Sequence, residues 1–227
     1  MEKKQVKSKK RVADHGEVFT AEREVKAMCD LVKDETERID SRFLEPACGD
    51  GNFLAEILTR KLQSSAMKKY KKSAFDWERN SLLALGSLYG VDILQDNCEI
   101  CRQRLFDIWD KEYKKACKKE CNDDTRAAAK FILSRNIVCG NALSLKCVDA
   151  DGNDTEEPIV FSEWTFPSNN AFIRRDDYTF DELLRADEEE KTNDDQIALF
   201  GDEAPNEEGK FLNRYITHYR RLGENGN

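Results

Sequence analysis

The residues best placed to do chemistry are Arg42-Phe43-Leu44-Glu45-Pro46-Ala47-Cys48-Gly49-Asp50-Gly51-Asn52-Phe53-Leu54. An apolar run leads into two glycines, and a helix-like run follows. Gly49 and Gly51 have no Cβ, so the backbone there can turn sharply, visit positive φ and approach a ligand closely. The helix expected from Asn52 to about Leu62 points its first N–H groups back at the turn, where a ligand carboxylate or phosphate would be stabilised. Doubly wound folds use such a strand–Gly-x-Gly–helix unit for several nucleotides. The third glycine of the nicotinamide fingerprint is missing, because the residue three after Gly51 is Leu54.

Other elements must position this turn. Tyr89-Gly90-Val91-Asp92-Ile93-Leu94 reads as a second short strand ending in an acid, 41 residues after Gly51. An acid at the carboxyl end of the second strand of a doubly wound sheet can accept hydrogen bonds from both ribose hydroxyls. It can also cap the next helix, expected from Asp96 to about Tyr113. Cys101, Leu105, Ile108 and Trp109 would form the buried face of that helix. A further helix is expected over Thr125 to Leu133. Asn136-Ile137-Val138-Cys139-Gly140-Asn141-Ala142-Leu143 then reads as a third strand and a turn. Upstream, Gly16-Glu17-Val18-Phe19-Thr20 leads into a helix over Ala21 to Val32. Val25, Met28 or Cys29, and Val32 recur there at helical spacing. Thr20 is the expected N-cap, and Glu22 and Glu24 suit the first turn.

Glu45-Pro46-Ala47-Cys48-Gly49-Asp50-Gly51-Asn52-Phe53-Leu54 resembles motif I of the S-adenosylmethionine-dependent N6-adenine DNA methyltransferases. Asp92 resembles the acid of motif II. The third strand resembles motif III, where an Asp usually follows the glycine and holds the adenine amino group; Asn141 stands there instead, and its amide oxygen can accept the same hydrogen bond without the charge. Phe19-Thr20 and the helix after it resemble motif X, with Ala21 where proline is usual. Motif X lies about 25 residues before motif I, as in the group that places it first. The resemblance covers about residues 12 to 145. It implies an α/β, Rossmann-like S-adenosylmethionine-dependent methyltransferase fold, as a partial doubly wound sheet with added helices. It also implies a cofactor pocket shaped by Phe19, Thr20, Glu45, Ala47, Cys48, Gly49, Gly51, Asp92, Ile93, Asn141 and Ala142.

The catalytic Asn/Asp-Pro-Pro-Tyr/Phe motif of that family is absent. The prolines are Pro46, Pro158, Pro167 and Pro205, and no two are adjacent. No residue here takes a catalytic role by the resemblance. A methyltransferase sheet that stops at the third strand exposes the flank of its first strand, an edge that needs a cover. Pro158 to Trp164 could cover it, or a second polypeptide could add strands there. The leading expectation is the cofactor-binding subunit of a split DNA methyltransferase of a restriction-modification system. A partner methyltransferase subunit would bring catalysis and target recognition, and double-stranded DNA would be met through the complex. Two alternatives stand beside it: a non-catalytic methyltransferase-like binding protein, and a complete methyltransferase acting on a non-DNA substrate.

Composition sets the remaining bounds. The chain of 227 residues is long enough for one domain with appendages. No apolar run approaches a membrane span. Met1 to Arg11 holds six Lys/Arg without an apolar core, which suits a basic arm and not a secretory signal. Reduced thiols and a cytoplasmic location are therefore expected for the eight cysteines. Cys98 and Cys101 with Cys117 and Cys121 have zinc-like spacing, but they sit in helical sequence without the glycine or proline of a zinc knuckle, so buried thiols are expected and no metal. His15 and His218 form no triad with a nucleophile. Net charge is −8, yet residues 176–208 alone carry fourteen acids and two bases, which leaves the rest of the chain at about +4. The expected organisation is a basic arm at 1–11, a cofactor-binding domain at 12–175 and a mobile acidic segment at 176–208. A terminal helix and tail at 209–227 would complete it.

Overall fold

A computed structural model describes residues 8, 11, 13, 20–185 and 211–224. Its first helices are α1 (Glu22–Leu31) and the short α2 (Lys33–Glu37). Strand β1 (Phe43–Glu45) then leads through the glycine turn into α3 (Asn52–Gln63). The lysine-rich link expected next is folded into α4 (Ser65–Lys68) and a 3-10 turn, Lys69–Lys72. α5 (Ala74–Gly86) precedes β2 (Leu88–Asp92), and α6 (Gln95–Cys117) and α7 (Asp123–Asn136) precede β3 (Ile137–Asn141). Side chains cap several of these helices: Ser64 accepts the Met67 N–H, Ser73 that of Asp76, and Asn122 that of Thr125.

β1, β2 and β3 pair in parallel, in that order. A hairpin of β4 (Lys146–Val148) and β5 (Asp154–Pro158) then adds two antiparallel strands beyond β3. The five-stranded sheet is therefore mixed, with β1 at one edge and β5 at the other. A separate antiparallel sheet holds β6 (Val160–Thr165), β7 (Phe172–Thr179) and β8 (Asn213–His218) in that order. Alternation along β2 sends its side chains to two cores. Leu88 packs among the helices, while Tyr89 and Val91 pack with Ile159, Phe161 and Phe180 from the second sheet and the helical residues 180–185. The helical core is built on Trp77, Trp109 and Tyr113, with the Trp77 and Tyr113 rings stacked at 5.5 Å. β6 passes so close to the end of α5 that a Cβ on Gly86 would lie 2.7 Å from the Trp164 ring.

Several expectations change here. β6 pairs with β7 and not with β1, so the 158–164 segment flanks the exposed edge without closing it. The terminal helix is a strand: aromatic and β-branched residues at 215–217 find β7 as a neighbour, and pairing outweighs the helical reading. The acidic segment begins later than composition suggests. Asp176 and Asp177 are buried in β7, where Arg174 and Arg214 pair with Asp176 and Arg175 pairs with Asp177. Most of the remaining acidic stretch, 186–208, lies outside the described residues, as does most of the basic arm. α1 is capped at Ala21, not Thr20, and buries Val25 and Cys29 while Met28 and Val32 stay exposed. Cys98, Cys101 and Cys117 are buried thiols and Cys121 is half-buried. Among the described residues no helix is long and apolar enough to cross a membrane.

Candidate functional site at the glycine turn

The turn joins β1 to α3 at the carboxyl end of the parallel strands. Gly49 and Gly51 take φ of 53° and 82°, the left-handed region that a side chain disfavours. Gly51 is also crowded: a Cβ there would lie 2.6 Å from the Cys101 sulfur of α6. The turn is tied to its neighbour strand twice. Cys48 donates its N–H to the Val91 carbonyl at 2.8 Å, and Gly49 donates to Asp92 Oδ2 at 2.9 Å. Asp92 Oδ1 accepts the Leu94 N–H at 2.9 Å and the Asn97 side-chain amide at 3.1 Å. Both sequence readings of Asp92 thus meet in one carboxylate, which caps the start of α6 and fixes the glycine turn. Three of its roughly four acceptor positions are filled, which leaves one at Oδ2.

Sequence reasoning missed Arg104. From α6 it donates to the Asp50 carbonyl at 3.2 Å, to Asp50 Oδ1 at 3.3 Å and to Asn52 Oδ1 at 2.7 Å. Asn52 in turn donates to the Thr20 carbonyl at 3.4 Å. This chain of bonds links the segment before α1, the glycine turn and α6. The available signal was the placement of Arg104 nearly one helical turn after Cys101, the residue against Gly51. Arg11 adds a further tie, donating to Asp96 at the start of α6 at 2.6 Å.

Glu45 is half-buried at the end of β1; burial raises its pKa, and the Ala47 N–H opposes the shift. The Cys48 thiol hydrogen-bonds with Cys101 and is buried, and both effects push its pKa far above the usual thiol range. Burial pushes Cys139 up to about 12. These thiols are inert packing groups, not nucleophiles. Among the described residues no three His, Cys, Asp or Glu side chains are arranged to hold a metal ion.

Ile93 lies exposed just beyond Asp92. Asn141 ends β3, the neighbour of β2, with Ala142 after it. Asn141 Oδ1 accepts the Leu143 N–H at 3.0 Å, and its amide donates to Asp154 of β5 at 2.9 Å. The structure therefore gathers Thr20, Glu45, Ala47, Cys48, Gly49, Gly51 and Asp92 around one turn. Ile93, Asn141 and Ala142 follow along the same end of the sheet. Phe19 lies outside the described residues. The hollows with defined walls lie elsewhere, along the flank of β1 and beside β8.

A family model described as MmeI, DNA-methyltransferase domain, matches residues 19–166. The chain belongs to this family. The match begins at Phe19 and takes in the turn, Asp92 and Asn141, so the gathered residues fall within a DNA-methyltransferase domain of the restriction-modification kind. No curated protein and no solved structure matches the chain.

Proposed function

We propose that the chain is the S-adenosylmethionine-binding part of an N6-adenine DNA methyltransferase, with the catalytic Asn/Asp-Pro-Pro-aromatic motif supplied by a partner chain. The observation that carries the reading is the bond from Gly49 N–H to Asp92 Oδ2 across the carboxyl ends of two parallel strands. It preorganises a positive-φ glycine turn and an acid together, the combination that suits a nucleoside with a charged tail. The cofactor, when bound, supplies an activated methyl group. The one acceptor position left on Asp92 is enough for one ribose hydroxyl, where sequence reasoning expected two. Ile93 and Ala142 offer apolar surface to a purine ring, and Asn141 Oδ1 keeps one lone pair for an amino group. Thr20, Glu45 and Cys48 bound the turn. Adenine is a weak nucleophile and must leave the duplex before it reacts, which requires acceptors for its amine and a ring to stack on it. This sequence has no such motif, and that supports the split arrangement.

Calorimetry with S-adenosylmethionine tests the cofactor site. The chain is expected to bind it, and Asp92→Asn, which cannot accept at both ends, is expected to lose about tenfold or more in affinity, the cost of one hydrogen bond to a charged acceptor. Unchanged affinity in Asp92→Asn would remove Asp92 from the site. Labelled methyl transfer to unmethylated duplex DNA tests the split. Turnover is expected only when a chain carrying Asn-Pro-Pro-Tyr is added, and turnover by this chain alone would overturn the division of labour.

A further inference from the structure

The five-stranded sheet treats its two edges oppositely. β5 presents Asp154, Glu156 and Glu157 and closes on Pro158. Charge and proline keep an edge strand from pairing with other chains. β1 carries no such device. It is hydrogen-bonded to β2 alone. Phe43 donates its N–H to the Ser87 carbonyl at 2.9 Å, so strand alternation turns the Leu44 N–H and carbonyl to the open flank. Leu44 is 40% exposed there.

A groove follows this flank. One hollow of about 100 Å³ is walled by Leu44, Phe161, Phe180, Leu183 and Leu184. It continues into a second of about 220 Å³ that reaches Ser87 and Trp164. The two share Arg42, Tyr89 and Glu163, and the Arg42–Glu163 ion pair crosses between them. An open strand edge and an apolar trough beside it are the two requirements of strand addition: main-chain bonds for affinity and pockets for alternate side chains.

We propose that this groove receives an apolar β-strand that pairs in parallel with β1 and leads into the Asn/Asp-Pro-Pro-aromatic motif. The inference deepens the reading of the preceding section and rests on it. Direction selects this occupant. A strand parallel to β1 ends where β1 ends, so the residues after it arrive beside Ala47 to Gly51 and Asp92. A strand inserted there has Phe161 and Phe180 on one side and β1 on the other, and it must be apolar along most of its length. A second copy of this chain fits less well. Two-fold pairing through β1 would be antiparallel and would send the second glycine turn to the far end of the sheet.

Hydrogen exchange on the full chain tests the groove. The probe is a synthetic peptide of about six valines and isoleucines, a usual strand length, followed by Asn-Pro-Pro-Tyr. The Leu44 amide is expected to gain about tenfold protection or more when the peptide is added. Leu44→Glu and Leu184→Glu, checked for unchanged thermal melting, are expected to abolish the protection, as is lysine at alternate peptide positions. No protection at Leu44, or equal protection in both variants, would overturn the proposal. Protection that grows with protein concentration and needs no peptide would assign the groove to a second copy and also overturn it. Cofactor affinity measured on the same samples separates the two readings. Protection without cofactor binding would sink the cofactor assignment alone, and cofactor binding without protection would sink the groove alone.

Discussion

Asn141 departs from the acid usual in motif III, and its surroundings explain why. Its amide donates to Asp154, a residue of the neighbouring hairpin, and Ser144 and Asn141 together hold the Asp154 carboxyl below its ordinary range. An acid at 141 would face that carboxylate at hydrogen-bond distance. Asn141→Asp is therefore expected to lower thermal stability and weaken S-adenosylmethionine binding, while the exchanged pair Asn141→Asp with Asp154→Asn recovers both. Melting curves and calorimetry on the single and double variants would check this, and no recovery in the double variant would argue against direct coupling. Glu45 carries a pH signature. Burial raises its folded pKa above 4.5, so the folded state holds its proton more tightly than the unfolded chain. The stability it contributes is fully present below about pH 4.5 and is lost as pH rises through the folded value. Glu45→Gln is expected to flatten that part of the pH–stability curve in urea denaturation.

The elements around the turn are set by buried polar groups as much as by apolar ones. Lys61 of α3 is fully buried and donates to the carbonyls of Arg38, Ile39 and Ser41 at 2.7, 3.1 and 2.6 Å. It thereby fixes the segment that delivers β1 to the sheet. Burial lowers its pKa to about 7. Lys61→Met keeps the stem and leaves three carbonyls without their donor, at about 1–3 kcal/mol for a buried unpaired group. A loss of about 3 kcal/mol is expected in chemical denaturation, with faster exchange at residues 38–45. The helical spacing of Lys61 with Leu54, Leu58 and Leu62 shows that it lies on the buried side of α3. Which carbonyls it meets depends on a loop whose path no periodicity describes.

Across the whole molecule, Glu78 joins the helical core to the C-terminal segment. It is fully buried and accepts from Tyr113 and Tyr219, from Arg220 at 2.8 Å and from Asn122 at 3.2 Å. Gly223 then packs so close to α7 that a Cβ would lie 2.8 Å from that of Ala127. The second sheet is thus anchored to the domain that carries the glycine turn. Glu78→Ala leaves Arg220 and two tyrosines without their shared acceptor, and breaking a buried pair costs about 3–5 kcal/mol. The expected outcome is a loss of that size, with proteolysis appearing first near β8. Equal protection of β8 in the variant would show that the anchor lies elsewhere.

The local chemistry of the turn was legible from residue types alone. Two glycines between an apolar run and a helical run leave few backbone solutions, and φ of 53° and 82° at Gly49 and Gly51 is what those residues permit. The three parallel strands and their helices were legible for the same reason, since hydrophobic period and turn residues are local signals. Tertiary structure decided the rest. Only packing put Arg104 onto Asp50 and Asn52, brought Asp154 to Asn141, and made a strand of 213–218 by giving it β7 to pair with. Those contacts join residues far apart in sequence, and their partners are chosen by how sheets and helices stack. A sequence read one segment at a time carries no record of that stacking.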